Sequence, residues 1–174
     1  MSLAARALVS EAEFLALPET TQRVELVDGE VVVAPSPSLR HQEVLARLVQ
    51  ALRGWARGRD ASVVQAPMDV RFGPDRILQP DAMVFLQRLS LDVETPLAVI
   101  PELCIEVLST NRAYDRVTKR FLYGEAGVSE YWLVEPSGLV ERRTGSGLSS
   151  SEEVTGKLSS SLLPGFELDL SELT

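Results

Sequence analysis

One short apolar run limits where this chain can carry a charge. Residues 103–108 read Leu-Cys-Ile-Glu-Val-Leu, a pattern typical of a buried strand, yet its fourth residue is the ionisable Glu106. The two-residue period of a strand places Cys104 and Leu108 on the same face as Glu106. Burying an unpaired carboxylate costs several kcal/mol. Either this face of the strand is partly wet, or Glu106 has a cationic partner.

Composition and charge indicate a globular protein. The chain has 174 residues, of which 45% are hydrophobic, and this is enough for one packed core. We therefore expect a single domain over residues 1–174. The formal net charge of -8 argues against sequence-independent adhesion to nucleic acid or to an anionic membrane, although it is compatible with a local basic groove.

The sequence also limits the localisation and the metal chemistry. Cys104 is the only cysteine, so an internal disulfide is excluded, and this fits a reducing cytoplasm. With one cysteine and one histidine, a zinc site built from those ligands is excluded as well. The first ten residues are too short for a secretory signal, and no apolar run approaches the roughly eighteen residues that a membrane span requires. We expect a cytoplasmic protein with no membrane segment.

The N-terminal part of the chain predicts a capped helix and a hairpin. Ser10 and Glu13 have the spacing of a capping box, and Pro18 ends the helix that they begin. Residues 23–33 predict two antiparallel strands joined by Asp28-Gly29, a dipeptide that supplies the positive φ angles of a tight turn.

Two further helices are predicted from apolar periodicity and from the residues that end them. One has about twenty residues, begins after Pro37 and ends near Gly58. Its predicted buried face consists of apolar residues three or four positions apart, namely Val44, Leu45, Leu48, Val49, Leu52 and Trp55. The other helix begins near Arg112 and ends with Ala126, where Gly127 follows.

Strands dominate the rest of the chain. The predicted strand segments are 62–72, 77–85, 102–109 and a hairpin over 130–144. The polar residues 145–153 predict a surface loop. The order of helices and strands predicts an α/β or α+β fold, with a mixed β-sheet flanked by helices.

A second carboxylate and a lysine complete a possible constellation with Glu106. Asp81 follows Pro80 at the start of an apolar run, where an aspartate is often a turn or cap residue. Lys119 lies on the predicted helix after the Glu106 strand. Such a lysine is usually solvated, and Asp115 one turn earlier offers it an ordinary ion pair.

The three side chains together match the needs of metal-assisted phosphodiester hydrolysis. Two carboxylates on adjacent strands provide hard oxygen ligands for Mg²⁺ or Mn²⁺. The ion would polarise a phosphoryl oxygen and lower the pKa of the attacking water, and an ammonium group would stabilise the developing charge. We expect Asp81 and Glu106 to bind the metal and Lys119 to take part in catalysis.

Several stretches of the chain resemble one family over about residues 11–136. The segments RVELVDGEVV, PSPSLRHQEVLARL, QPDAMVF and PELCIEVLSTNRAYDRVTKRFLYGEAGVSEYWLVEP are similar, in this order, to those of the Uma (type two) endonuclease family. That family is assigned to the restriction-endonuclease-like superfamily, whose signature is PD…(D/E)XK. The resemblance implies that Asp81 is the aspartate of PD and Glu106 the second acidic ligand. The signature lysine position is Leu108 here, and the resemblance implies that Lys119 takes that role from the following helix.

Two further residues are candidates for the same site. Glu25 matches a glutamate typical of the family and would add a third carboxylate. Strand alternation, with Val24 and Leu26 pointing inward, instead predicts an exposed Glu25. His41 is the only histidine and could contact a phosphate, although a capping or surface histidine is the alternative. A small departure from the family pattern is Thr110, where the family usually has proline.

Positive charge is concentrated on the long helix. Its arginines are Arg40, Arg47, Arg53 and Arg57. They either follow a nucleic-acid backbone or form a solvated polar face.

These observations predict a Mg²⁺- or Mn²⁺-dependent endonuclease that cuts DNA. A homodimer is expected, because two sites related by a two-fold axis suit the cutting of both strands. One alternative is a nuclease-fold module that does not catalyse and binds nucleic acid or a protein partner. Another is a metal-free hydrolase that uses the carboxylates as acid and base, for instance on glycosides.

Overall fold

The computed structural model describes residues 8–108 and 113–174, which contain twelve strands. In chain order these are β1 (Val24–Val27), β2 (Glu30–Val33), β3 (Ser62–Gln65), β4 (Val70–Gly73), β5 (Arg76–Leu78), β6 (Ala82–Phe85), β7 (Leu103–Val107), β8 (Glu130–Val134), β9 (Val140–Thr144), β10 (Ser150–Val154), β11 (Lys157–Ser159) and β12 (Glu167–Asp169). Six of them form a mixed sheet in the order β10-β9-β8-β7-β6-β3, in which only β7 and β8 are parallel. A second, antiparallel sheet has the order β2-β1-β5-β4, and β11 pairs with β12.

The six-stranded sheet is the central layer, and its inner strands β6, β7 and β8 are buried on both faces. The helices are α1 (Glu11–Leu15), α2 (Leu39–Ala56) and α3 (Arg120–Ala126). α2 packs on the face that contains Trp132, whereas α3 and the second sheet cover the face that contains Cys104 and Leu108. All five residues of β7 are buried, so the carboxyl group of Glu106 has to find its partners inside the protein.

Most of the predicted elements are confirmed. The side chain of Ser10 accepts a hydrogen bond from the Glu13 backbone, and Glu13 returns the contact, which completes the capping box. Asp28 and Gly29 both have positive φ angles, at 50° and 84°, in the hairpin turn. α2 buries all six apolar residues predicted for its face. Within residues 8–108 and 113–174, no helix combines the length and apolar character needed to cross a membrane.

Two segments predicted as single strands are each divided between the two sheets. Residues 62–72 form β3 in the central sheet and β4 in the second sheet, with Pro67 between them. Residues 77–85 form β5 and β6 in the same way, with Pro80 between them. Proline has no N–H group to donate to a strand ladder, so each segment leaves its sheet at the proline. The second crossing places Asp81 at the junction of the two sheets.

The prediction of a surface loop over the polar segment 145–153 is wrong for the second half of that segment. After a short turn, β10 pairs with β9 along the edge of the central sheet, from Ser150 opposite Thr144 to Val154 opposite Val140. Four of the five β10 residues are exposed. A strand without a buried face lacks the apolar alternation by which strands are recognised in sequence.

The helix predicted over 112–126 has an unexpected first part. Tyr114–Lys119 is π-helical and continues directly into α3, which ends at Gly127 with a left-handed φ of 91°. A π-helix pairs residues five positions apart and commonly occurs at functional sites. Arg112 and Thr110 lie outside the described residues.

Candidate active site

The strand register places two acidic residues across from each other. β6 and β7 are antiparallel, with Ala82 opposite Ile105, so the next position sets Asp81 opposite Glu106. The Val107 backbone N–H donates a hydrogen bond of 2.8 Å to Oδ2 of Asp81. This bond continues the strand ladder by one step and fixes the Asp81 carboxylate beside the Glu106 strand.

Glu106 has its cationic partner on the helix that follows its strand. Nζ of Lys119 lies 2.8 Å from Oε1 of Glu106, and both side chains are 3% exposed. The Tyr123 hydroxyl donates to the same oxygen, also at 2.8 Å. Glu106 therefore satisfies its charge inside the protein rather than on a wet face of the sheet.

Glu25 is a third carboxylate at this position, and the prediction of an exposed Glu25 is wrong. Its side chain is 0% exposed, and Oε1 lies 3.1 Å from Nζ of Lys119. The Gln79 backbone N–H donates to Oε1 at 2.8 Å, and the Tyr114 hydroxyl donates to Oε2 at 3.0 Å. Alternation failed because β1 is buried on both of its sides: Leu26 packs with Phe14 and Ile77, while Glu25 lies against Lys119.

Arg23 brings a second cation to the site. Its guanidinium Nη1 lies 2.6 Å from Oδ1 of Asp81. Nη2 lies 3.5 Å from Oε1 of Glu25 and 3.6 Å from Oε2 of Glu106. The side chain is 23% exposed, so Arg23 reaches the site from its solvent side.

His41 contributes a neutral ring to the edge of the site. It lies in the first turn of α2, where the Ser38 hydroxyl caps its backbone N–H, and its side chain is buried rather than at the surface. Nε2 lies 3.6 Å from Oδ2 of Asp81. Burial lowers the pKa of His41, and Arg23 lowers it further against the opposing effect of Glu106. The ring is therefore uncharged near pH 7.

Lys119 is held in its charged form. Burial alone would lower its pKa, but the carboxylates of Glu106 and Glu25 outweigh burial and raise it. Burial raises the pKa of Glu106, partly offset by Lys119 and Arg23. At neutral pH, Lys119 is thus a donor of hydrogen bonds and a stabiliser of negative charge, not a base.

The ion pair with Asp115, the ordinary alternative for Lys119, is not found among the described residues. Both residues belong to the π-helical segment, and the ion pairs of Lys119 join it to Glu106 and Glu25 instead. The wider π-helical turn removes the stacking of residues four positions apart on which that prediction depended. Asp115 is buried, and burial, reinforced by the charge of Glu106, raises its pKa to about 7.

Replacement of Asp115 by asparagine is expected to stabilise the protein at alkaline pH. The pKa of Asp115 rises from its ordinary 3.8 to about 7 in the folded protein. The folded state therefore binds the proton more tightly than the unfolded state, and stability falls as the pH rises from 4 to 7. Asp115→Asn should raise the free energy of unfolding by about 2–4 kcal/mol at pH 8 relative to its effect at pH 4. Urea unfolding of both proteins at the two pH values measures this difference, and an equal effect at both would contradict it.

The acidic residues fit a divalent cation, although they do not form a complete protein cage. Among the residues that the structure describes, no three His, Cys, Asp or Glu side chains are arranged as a metal-binding group. However, Asp81 and Glu106 each use one oxygen for the fold, Oδ2 and Oε1, and direct the other, Oδ1 and Oε2, to the same cationic group of Arg23. Two converging carboxylate oxygens suit Mg²⁺, which commonly keeps several water ligands and uses one or two carboxylates.

Three residues that contact the site carboxylates were not predicted from the sequence. Arg23 stands two positions before Glu25, which places both on one strand face, and this spacing could have indicated it. Tyr123 follows Lys119 by four positions, the spacing of one helix face. Tyr114 gives no comparable signal, because its position depends on the π-helical segment.

A groove beside α2 is lined by two of the arginines that were noted in the sequence. It has a volume of about 500 Å³ and is lined by Arg53 and six uncharged residues of α2, by Arg57 directly after the helix and by Gln65 of β3, with no acidic side chain among them. Gln65 pairs with Ala82, the residue after Asp81. The other two helix arginines, Arg40 and Arg47, instead donate to backbone carbonyl groups.

Comparison with known proteins gives a family and a fold. The family model Uma2, described as "Putative restriction endonuclease", matches residues 11–171. The crystal structure of "a putative nuclease belonging to DUF820" from Anabaena variabilis ATCC 29413 matches with a TM-score of 0.78 and 23% sequence identity, covering 95% of this chain and 97% of that chain. At this identity the likeness shows the fold alone. No curated protein sequence matches this chain significantly.

The match of the family model therefore includes all the acidic and basic side chains that meet at the junction of the two sheets. The chain has a mixed α+β fold of the nuclease type, and it belongs to the Uma2 family.

Proposed function

We propose that this protein is a Mg²⁺-dependent endonuclease that hydrolyses phosphodiester bonds in DNA. The observation that supports it most is the pair of oxygens, Oδ1 of Asp81 and Oε2 of Glu106, that converge on one cation beside the buried ammonium group of Lys119. A carboxylate pair with an adjacent fixed ammonium is suited to phosphoryl chemistry. The family description supports nuclease activity in general terms.

Each side chain has a distinct role in this proposal. Asp81 and Glu106 hold the metal ion, which supplies Lewis acidity and a lowered pKa for bound water. Lys119 orients the attacking water and stabilises the negative charge that develops on the phosphoryl group. Glu25 keeps Lys119 charged and in place, since its Oε1 forms an ion pair with Nζ of Lys119 at 3.1 Å. Neutral His41 limits the movement of the Asp81 carboxylate.

A plasmid nicking assay tests the proposal. Purified protein should convert supercoiled plasmid to the nicked form with Mg²⁺ or Mn²⁺, and EDTA should stop the reaction. Cleavage that persists in EDTA would instead favour the metal-free hydrolase with an acid and a base.

The groove beside α2 is proposed to bind the DNA backbone. Arg53 and Arg57 line it without an acidic neighbour in the lining. The double variant Arg53→Gln/Arg57→Gln is expected to weaken binding of a short DNA duplex and to lower the salt slope, −dlogK/dlog[salt], by about 1.8, since each phosphate contact contributes about 0.9. Fluorescence anisotropy between 50 and about 200 mM salt measures this slope, over a range in which such contacts change affinity strongly.

The same helix provides a matched control for this charge change. Arg40→Gln/Arg47→Gln also removes two positive charges, but these side chains are engaged by the carbonyl groups of Pro136, Glu172 and Thr174. The control should leave the salt slope within about 0.5 of the wild-type value, well below the 0.9 of one phosphate contact. An equal loss in both double variants would indicate a general effect of charge rather than a groove.

We also propose a cytoplasmic homodimer. Cys104, the only cysteine, is buried and free, which fits a reducing compartment. Val117 and Phe121 are 61% and 53% exposed, four positions apart on the side of the Lys119 helix, and offer apolar surface to a second copy. Sedimentation equilibrium distinguishes a dimer from a monomer.

A catalytically silent module is the second candidate, and one observation favours it. The Arg23 guanidinium already neutralises the two carboxylates that would hold the metal. A module of this kind would bind DNA without nicking it in the presence of Mg²⁺ or Mn²⁺. Absence of both nicking and metal binding would select this candidate.

A further inference from the structure

Arg23 contacts the two carboxylate oxygens, Oδ1 of Asp81 and Oε2 of Glu106, that would hold a metal ion. We propose that Arg23 is an internal counter-ion that a divalent cation displaces, so that this side chain sets how tightly the protein binds its metal. The inference rests on the proposed metal site of Asp81 and Glu106, and it assigns a role to a residue outside that ligand pair.

The oxygens that Arg23 contacts are the ones that the fold does not use. Oδ2 of Asp81 accepts from the Val107 backbone, and Oε1 of Glu106 accepts from Lys119 and Tyr123. Within the described residues, Oδ1 of Asp81 and Oε2 of Glu106 have Arg23 as their close cationic partner. Removal of the guanidinium would therefore leave two converging oxygens with unsatisfied charge.

Arg23 and a bound metal would compete for these oxygens. Mg²⁺ binds carboxylate oxygens at about 2.0–2.1 Å, whereas Nη1 of Arg23 lies 2.6 Å from Oδ1 of Asp81. Both cations on the same oxygen would lie close enough to repel each other strongly in a partly buried site. Metal binding therefore favours withdrawal of the guanidinium.

Arg23, unlike Lys119, is placed to withdraw. Its side chain is 23% exposed and stands at the entrance of β1, whereas that of Lys119 is 3% exposed. Among the described residues, its Nε is buried without a hydrogen-bond partner, and two of its three carboxylate contacts are 3.5 Å and 3.6 Å long. The guanidinium is held mainly by charge rather than by a full set of hydrogen bonds, so a divalent ion of higher charge can replace it.

The test is the affinity for Mn²⁺, measured without DNA by isothermal titration calorimetry or electron paramagnetic resonance. Arg23→Gln should bind Mn²⁺ at least about tenfold more tightly than the wild type, which corresponds to about 1.4 kcal/mol. It should also show a larger rise in Tm on addition of Mn²⁺, because a ligand stabilises the folded state according to its affinity. Unchanged or weaker binding by folded Arg23→Gln would overturn the inference.

The matched control is Arg76→Gln. Arg76 also bridges two carboxylates, Asp28 and Glu125, and its side chain is 21% exposed, but it lies outside the site. The control should leave the Mn²⁺ affinity within about twofold of the wild-type value. A comparable gain in affinity in both variants would show that the effect arises from net charge, and it would overturn the inference.

Further outcomes separate the inference from the proposed function. If Arg23→Gln does not fold, Arg23→Lys should still bind Mn²⁺ more tightly than the wild type, because an ammonium is a point charge that cannot bridge two carboxylates as a guanidinium fork does. Binding by the wild type with no gain in either variant overturns the inference alone. Absence of binding in the wild type and in both Arg23 variants overturns the inference together with the metal site.

Discussion

Glutamine in place of Glu106 is expected to lower the rate of metal-dependent DNA cleavage by roughly a thousandfold or more while the protein stays folded. This loss corresponds to about 4 kcal/mol of transition-state stabilisation. Glutamine keeps the shape of the side chain and its oxygen can still accept from Lys119 and Tyr123. It removes the negative charge that Oε2 directs to the cation of the site.

The fold should tolerate this change because Lys119 retains a second carboxylate. Oε1 of Glu25 lies 3.1 Å from Nζ of Lys119, so the buried ammonium is not left alone. Circular dichroism and urea unfolding verify the fold, and the nicking rate and Mn²⁺ titration measure the site. A folded Glu106→Gln protein that cuts DNA at the wild-type rate would exclude Glu106 from the metal site.

The central sheet provides a matched control for this substitution. Glu130 of β8 is as buried as Glu106, at 4% against 2% exposure, and accepts hydrogen bonds from Trp132 and Ser160 away from the site. Glu130→Gln makes the same chemical change in the same sheet. It should retain cleavage within a few-fold, and a loss equal to that of Glu106→Gln would point to a general effect of altering buried acids.

The largest effect on stability is expected from Lys119→Met, at about 3–5 kcal/mol of unfolding free energy near pH 8. The methionine leaves Glu106 and Glu25 buried without the ammonium group that lies 2.8 Å and 3.1 Å from them. Burial then raises the pKa of Glu106 without its main opposing charge. Stability of the variant should therefore recover as the pH falls and the carboxyl groups take up protons.

Two further variants make this prediction specific. Lys119→Met/Glu106→Gln also removes one of the two carboxylate charges that Lys119→Met leaves buried without a partner. It should therefore regain part of the lost stability at pH 8, and a double-mutant cycle measures this coupling. Lys157→Met breaks an exposed pair with Glu167, in which both side chains are more than half exposed, and should cost about 1 kcal/mol or less. A cost for Lys119→Met no larger than that for Lys157→Met would contradict the role of Lys119 as the buried counter-ion.

Local sequence signals were sufficient to predict the elements that have one buried side and one exposed side. The apolar face of α2 and the capping box of α1 depend on residues a few positions apart, and both are confirmed. The conflict posed by Glu106 in an apolar strand left two explanations open, a wet sheet face or a cationic partner, and the structure shows the partner. The contacts of Lys119 with Glu106 and Glu25 depend on long-range packing, which the sequence expresses only as the presence of suitable residues.

The remaining features depend on tertiary structure that local patterns do not encode. For Glu25 the family resemblance indicated a site residue, whereas alternation indicated exposure because it assumes one wet face; β1 has buried residues on both sides. β10 was not predicted as a strand because its residues are mostly exposed. Arg23 reaches the site through the length of its side chain, and the π-helical turn at Tyr114–Lys119 changes which residues face inward.

A crystal structure after soaking with Mn²⁺ tests the central claim most directly, because anomalous scattering identifies the position of the ion. We expect one strong peak between the carboxylates of Asp81 and Glu106, with the Arg23 guanidinium withdrawn and Lys119 still paired with Glu106 and Glu25. A crystal with no peak at this position under saturating Mn²⁺, with Arg23 still joined to Asp81, would contradict the account.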